Sequence, residues 1–240
     1  MRTLDASGLL DAWESGYSLS PPRRSLALLA HAHPHASRDE LSTLPLGHCD
    51  LLLRQFRIAL FGNELTFVAS CPACASVVES TIDLANAAPA APVQSQRVHI
   101  DQHSISLRPP TLGDLIGLPA DPATARQVLA RRCIETADVD GEPDPACMPL
   151  SDESLAAIGR AMSAADPAAL SEIALACPDC DARWHSGLDM ASFLWREIDA
   201  WARRTLREVH ALARAYAWSE RDVLALSPTR RQLYLELSRA

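Results

Sequence analysis

ELTFVASCPACASVVESTIDL, residues 64–84, decides the fold. Apolar Leu65, Phe67 and Ala69 fall at every second position of a β-rich run, and Val77–Leu84 resumes such a run beyond Cys71-Pro-Ala-Cys74. A period of two on both sides of a short turn predicts a hairpin with the cysteine pair at its tip. The pattern recurs at 171–188. There SEIALA (Ser171–Ala176) leads into Cys177-Pro-Asp-Cys180, and RWHSGL (Arg183–Leu188) leaves it. Seven Cys spread through 240 residues would give only about 0.2 pairs at this spacing by chance.

A structural zinc takes four thiolates or imidazoles in a tetrahedron, and a CxxC turn delivers two sulfurs from one loop. Two such turns close the shell. Cys71, Cys74, Cys177 and Cys180 are therefore predicted to hold one structural Zn2+ as a four-Cys ribbon. The rival chemistry, a redox dithiol, wants its pair at a helix N-terminus; these pairs lie between strands. Residues 75–176 separate the two turns, and closing that loop costs only about 1.4 kcal/mol more than closing a 20-residue one. Zinc binding, at roughly 10–16 kcal/mol in small zinc domains, exceeds this, so the insert is tolerable if it folds on its own contacts. A knuckle favours Gly after its second Cys because the chain there turns through positive φ. Here the residues are Ala75 and Asp181. Asp tolerates that conformation better than Ala, so strain is expected in the first knuckle.

Outward from the hairpins the period becomes helical. His48–Phe61 carries Leu52, Leu53, Phe56, Ala59 and Leu60 at helical spacing, with Pro45–Gly47 a turn before it and Gly62–Asn63 ending it. Leu4–Trp13 and Arg24–Ala30, the latter opened by Pro21–Pro22, are further helices. Between the hairpins, Arg97–Ile100 and Ser104–Leu107 predict another hairpin. Thr111 opens a helix toward Leu118, Asp121–Pro122 one through about Ala137, and Ser151 one through about Ala164. Asp189 caps a long helix to about Tyr216, followed by Glu220–Leu226 and Thr229–Ser238. Leu194, Ile198, Trp201, Thr205, Val209, Leu212 and Tyr216 recur every three or four residues along the long helix, a strong amphipathic stripe.

The expected fold class is α+β. It comprises a helical N-terminal segment (1–62), a zinc ribbon (63–84 plus 171–188), a mixed insert (85–170) and a C-terminal helical hairpin (189–240). Apolar residues make up 48% of the chain, enough for a real core, and all 22 basic residues are Arg. The net charge of −8 argues against a nucleic-acid binder. The charge is uneven: from Asp189 onward nine Arg face seven acids, so the remainder carries −10. No signal-peptide pattern opens the sequence and no run approaches a membrane span. The expectation is a protein made in the cytoplasm, with reduced cysteines and no membrane partner.

Other candidate sites are weaker. His31, His33 and His35 alternate beside Pro34, without an accompanying carboxylate motif. Asp138, Asp140, Glu142 and Asp144 form an acidic loop that lacks the EF-hand order. His185 follows the second knuckle but four Cys already suffice, and His210 reads as a packed or surface residue of the long helix. Cys49, Cys133 and Cys147 stand alone and read as small buried hydrophobes. A closed four-thiolate shell leaves no coordination position for substrate, and no nucleophile elbow, P-loop or dinucleotide fingerprint is present. A non-enzyme is expected. A zinc-ribbon adaptor or regulator of protein or nucleic acid, and a thiol oxidoreductase, are the alternatives.

The segments LARAYAWSE (Leu212–Glu220), DVLALSPTRRQLYLEL (Asp222–Leu237) and LPLGHCDLLLRQFRIALFG (Leu44–Gly62), with the paired CPxC hairpins, resemble the T4-type baseplate hub and assembly proteins of contractile phages and phage-like injection loci, in particular zinc-containing members. One departure is Ala217, where Gly would be expected between the aromatic residues. The resemblance implies a structural or chaperone-like part of a tail baseplate whose partners are other tail proteins, assembled in the cytoplasm or carried in the particle. Trp195, Trp201, Arg230 and Arg231 are the residues expected to contribute an interaction surface, since Trp and Arg are typical anchors.

Overall fold

A computed structural model describes residues 4–86, 93–100, 103–138 and 150–238. Four helices come first: α1 (Ala6–Gly16), α2 (Pro21–Ala32), α3 (Arg38–Ser42) and α4 (Leu46–Phe61). Their starts follow from local chemistry. Asp5 accepts from the Gly8 amide at 2.8 Å, proline occupies the first turn of α2, and Ser37 and Glu40 form a reciprocal capping box on α3. The α4 helix begins two residues earlier than its periodicity predicted, so Leu46 and Gly47 are helical rather than a turn. Pro45 cannot cap it with a side chain. Instead the carboxylate of Asp166, 1% exposed, accepts from the Gly47 amide at 2.7 Å. An anion at a helix N-terminus satisfies an orphan donor and the dipole together. Gly47 is what lets it in: a Cβ there would sit 2.7 Å from Ala168 Cβ.

Gly62, at φ +88°, ends α4 and turns the chain into strands β1 (Glu64–Ser70) and β2 (Val77–Asp83). They pair antiparallel from Glu64 opposite Asp83 to Ser70 opposite Val77. The insert holds β3 (Gln96–Ile100), β4 (His103–Leu107), α5 (Leu112–Leu115), α6 (Pro122–Cys133), β5 (Ile134–Asp138) and α7 (Asp152–Ala165). The sheet order is β3-β4-β5. Here the sequence reading needs correction: the helix expected to reach Ala137 stops at Cys133, and Ile134–Asp138 is a strand on the β4 edge. Ile134 is β-branched and fits a pleated surface, and the ladder satisfies backbone groups that a longer helix would have paired internally. A second hairpin, β6 (Glu172–Ala176) and β7 (Arg183–Gly187), follows. Then come α8 (Met190–Tyr216), α9 (Glu220–Leu224) and α10 (Pro228–Leu237). The architecture is α+β, with small antiparallel sheets among helices.

The apolar interior falls into separate groups. The largest joins α1, α2, α4 and the first half of α8 through Leu28, Leu29, Phe56, Leu194 and Ile198, with Leu65 from β1. The insert packs on its own Ile105, Leu107, Leu155 and Ile158. The second half of α8 packs on α9 and α10 through Val209, Leu212, Val223 and Leu235. Two buried arginines tie helices together. Arg57, 4% exposed, meets Glu197 with a two-pronged contact at 2.8 and 3.0 Å and donates to the Gly62 carbonyl; Arg231, 3% exposed, pairs with Glu208 at 3.0 Å. Buried charge is tolerated because it is paired and hydrogen-bonded.

Candidate metal centre

Each knuckle is a tight turn at the end of a hairpin, and the two turns share one hydrogen-bond pattern. The amide of Cys71 donates to the Ser76 carbonyl at 2.9 Å, and that of Ala75 returns to Cys71 at 2.9 Å. Cys177 to Ala182 and Asp181 to Cys177 repeat the pair at 2.9 and 3.1 Å. Such a turn forces positive φ on the residue after the second Cys. Ala75 adopts φ +61° and Asp181 +57°, the conformation that the sequence assigned to these positions. Backbone amides also reach the sulfurs: Ser76 donates to Cys74, Asp179 and Cys180 to Cys177, and Ala182 to Cys180.

The two turns face each other. Cys71 Sγ lies 3.7 Å from Cys180 Sγ, Cys74 Sγ lies 3.6 Å from Cys177 Sγ, and all four sulfurs are within 4.8 Å of one another. A tetrahedron with sulfurs about 2.3 Å from its centre has edges of about 3.8 Å. The donor set and its spacing fit a zinc ion, and they are too wide for disulfide bonds; the four cysteines are free thiols. Cys71 and Cys177 are buried while Cys74 and Cys180 are exposed. Hydrogen bonding with Ser76, first through its hydroxyl and then its amide, holds the Cys74 thiol down at about 6. Desolvation pushes Cys177 up. The metal-free cluster is thus uneven, with a thiolate formed readily at Cys74 beside thiols at Cys177 and Cys180 that resist, and a divalent cation would remove the conflict. Apolar support is slight: Val78 is buried with the two inner cysteines, and Ala182 and Trp184 are half-buried against them.

A polar contact adds to the packing of Leu65, Phe67 and Ile82 on the helical core. Asp50 on α4 accepts from Ser171 Oγ at 3.2 Å at the entry to β6. Burial, above all, raises its carboxyl to about 6. Neither Asp50 nor the Asp166 cap was identified from the sequence, and Ser76 was not singled out beside the knuckle. The bonds of Asp50 and Asp166 span 121 and 119 positions, beyond the reach of any local pattern.

The remaining candidates do not join the site. Among the described residues, the four cysteines are the group of three or more metal-ligating side chains that converge. His31 Nε2 is 3.1 Å from Ser15 Oγ, and His33 Nε2 is buried without a hydrogen bond, its pKa lowered first by that burial. His185 and His210 are exposed on β7 and α8. Cys49 and Cys133 are buried, and desolvation raises their thiols to about 12 and about 11, the inert character expected of them. Cys147, Asp140, Glu142 and Asp144 lie outside the described residues; Asp138 closes β5. The expected interaction residues divide. Arg230 is exposed, Trp201 is packed on the main core, and Trp195 is half-buried under the Arg24 guanidinium at 4.3 Å. Arg231 must be withdrawn from that surface: it is buried, with its guanidinium engaged by Glu208 and the Leu226 carbonyl.

No helix among the described residues is long and apolar enough to cross a membrane. No curated protein and no solved structure matches the chain. Residues 32–195, more than half of the sequence, match the family described as T4 bacteriophage base plate protein, and this stretch contains both knuckles, the insert and the start of α8. The chain belongs to the T4 bacteriophage base plate protein family.

Proposed function

We propose that this structural baseplate component is a non-enzymatic scaffold or assembly factor whose ribbon is closed by one Zn2+ on Cys71, Cys74, Cys177 and Cys180. The observation that carries the zinc reading is the mutual approach of four sulfurs from two turns distant in sequence, within 4.8 Å. Zinc would supply a cross-link between the start and the end of the insert. The chain's own residues do the rest: the amides of Ser76, Asp179, Cys180 and Ala182 donate to sulfurs and stabilise thiolate charge, and Asp50 with Ser171 docks the second hairpin on α4. Four protein thiolates leave no open position for water or substrate, so the ion has a structural role. The partners are other tail proteins. The redox alternative loses support because both CxxC pairs sit on hairpins rather than at helix N-termini, and the nucleic-acid alternative because the second knuckle carries Asp179 and Asp181.

Elemental analysis of protein purified without added metal tests the zinc assignment. One zinc per chain is expected, lost in Cys71→Ser and equally in Cys177→Ser. Zinc retained by either variant would show that the two knuckles do not share an ion.

A further inference from the structure

The chain carries two surfaces of opposite charge with no ion pair between them among the described residues. The first lies on α8. Arg196, Arg203, Arg207 and Arg214 are all exposed and fall at i, i+7, i+11 and i+18. At 3.6 residues per turn they lie within about 40° of one line, a ridge about 27 Å long. The ridge faces away from the buried stripe of Leu194, Ile198, Thr205, Val209 and Leu212. The acids of this helix are engaged: Glu197 with Arg57, Asp199 with Trp13 and Arg203, and Glu208 with Arg231. Arg207 and Arg214 make no ion pair or hydrogen bond among the described residues. Leu206, 36% exposed, flanks the ridge.

The second surface is the ribbon. Residues 63–84 and 171–188 hold Glu64, Glu79, Asp83, Glu172, Asp179 and Asp181 against Arg183 alone, a net −5. A zinc ion on four thiolates adds two further negative charges, a step that rests on the zinc reading above. Glu64, Glu79, Glu172, Asp179 and Asp181 are exposed, and their carboxylates form no ion pair among the described residues. Among them Val68 and Val77 are 64% and 72% exposed, unusually bare for β-branched apolar residues.

We infer that the arginine ridge of one copy docks on the acidic ribbon of a second copy, a head-to-tail contact. The occupant is chosen by charge: the chain outside its last 52 residues carries −10 and those residues carry +2. Like-charged faces disfavour the symmetric alternatives, ridge on ridge and ribbon on ribbon. The surfaces that meet are different patches, so the contact is heterologous and builds a ring or an open chain of copies. The valines and Leu206 supply apolar area where the charges bring the surfaces together.

Sedimentation velocity on the full chain tests this at about 50 mM and about 500 mM salt, where screening of surface charge differs strongly. Association is expected at low salt and should weaken at high salt. Arg196→Gln/Arg207→Gln/Arg214→Gln and, separately, Glu79→Gln/Glu172→Gln should each weaken it about tenfold. An equimolar mixture of the two variants should give a discrete two-chain species, since one intact ridge then meets one intact ribbon and both free ends are blunted. A wild-type chain that stays monomeric at low salt up to about 100 µM, or a ridge variant that associates like wild type, overturns the inference. Zinc content measured on the same samples separates the two readings. Variants that keep one zinc per chain yet fail to associate locate the loss at the contact, whereas a zinc-free wild type removes the metal assignment whatever its association.

Discussion

The ribbon and the helical body bury their residues on different terms. In the body, Phe56, Leu28, Leu29, Leu194 and Ile198 are essentially inaccessible to water. Each contributes about 1.5–3 kcal/mol by the transfer of apolar surface. Around the sulfurs the buried residues are Val78 and two of the cysteines; Leu65 and Leu84 are buried against the helical body and Leu175 is buried on β6, while the outer faces of both hairpins are exposed. Two isolated hairpins of five to seven residues per strand are marginal in water. The difference teaches that hydrophobic burial holds the body and the base of the first hairpin but is sparse around the knuckles, where the four sulfurs converge.

Removing the metal should therefore separate the two regions. Chelation at neutral pH is expected to abolish amide-exchange protection in Glu64–Ser70, Val77–Asp83, Glu172–Ala176 and Arg183–Gly187, by about a thousandfold. The amides of α4 and of the first half of α8 should keep most of theirs. Equal loss in both regions would mean that the ribbon and the body form one cooperative unit, and the comparison would collapse. Phe56→Ala is the converse perturbation. Phe56 is fully buried on α4, so truncation should cost about 3–5 kcal/mol of global stability in denaturant melts. The metal-bound ribbon should still show its exchange protection below the melt. Zinc lost in parallel with the body's unfolding would indicate that the knuckles depend on it for their approach.

What the sequence made legible follows the same division. The knuckles were readable because their information is local: a period of two, a CxxC spacing, and a positive-φ position after each second Cys. Ala217 obeys the same logic. It takes φ +56° at the end of α8, where the resemblance to the baseplate family implied Gly. The 134–138 strand was not readable, because a short run directly following a helical pattern has no turn signal of its own, and its β character comes from pairing with β4. The Arg231 guanidinium was equally opaque. Arg on an amphipathic terminal helix reads as solvated, and only the tertiary approach of Glu208 explains its burial. Sequence thus showed where the sulfurs converge but not the polar contacts that join ribbon to body.

Asp50 is one such contact, and its titration sharpens the boundary. Burial raises its folded carboxyl to about 6 from an ordinary value of 3.8. Between these values the folded chain binds more protons than the unfolded chain, so this group makes stability fall as pH rises from about 4 to about 6. Above that window the penalty is complete and constant. Asp50→Asn can still accept from Ser171 and carries no charge. It should stabilise the protein at pH 7 by about 1–2 kcal/mol, after allowance for partial exposure, and leave it nearly unchanged at pH 4. Urea melts at the two pH values check this. An equal effect at both would assign Asp50 a packing role and not an electrostatic one.

The smallest effect distinguishes one knuckle from the other. Both turn through positive φ, but Ala75 does so with a Cβ and no side chain able to bond its own backbone, whereas Asp181 belongs to a residue type that visits this region more readily. Ala75→Gly should relieve the steric term at the expense of a more flexible unfolded chain, leaving a gain of about 0.5–1 kcal/mol. Because the turn must form for its two sulfurs to converge, the gain should appear as roughly threefold tighter zinc binding in competition with a chelator. Asp181→Gly should change affinity little, since less strain is available to release. Equal responses at the two positions would mean that the turn hydrogen bonds, which the knuckles share, outweigh the difference between their residues. The first knuckle would then be no weaker than the second, and the strain expected of it from sequence would have no energetic consequence.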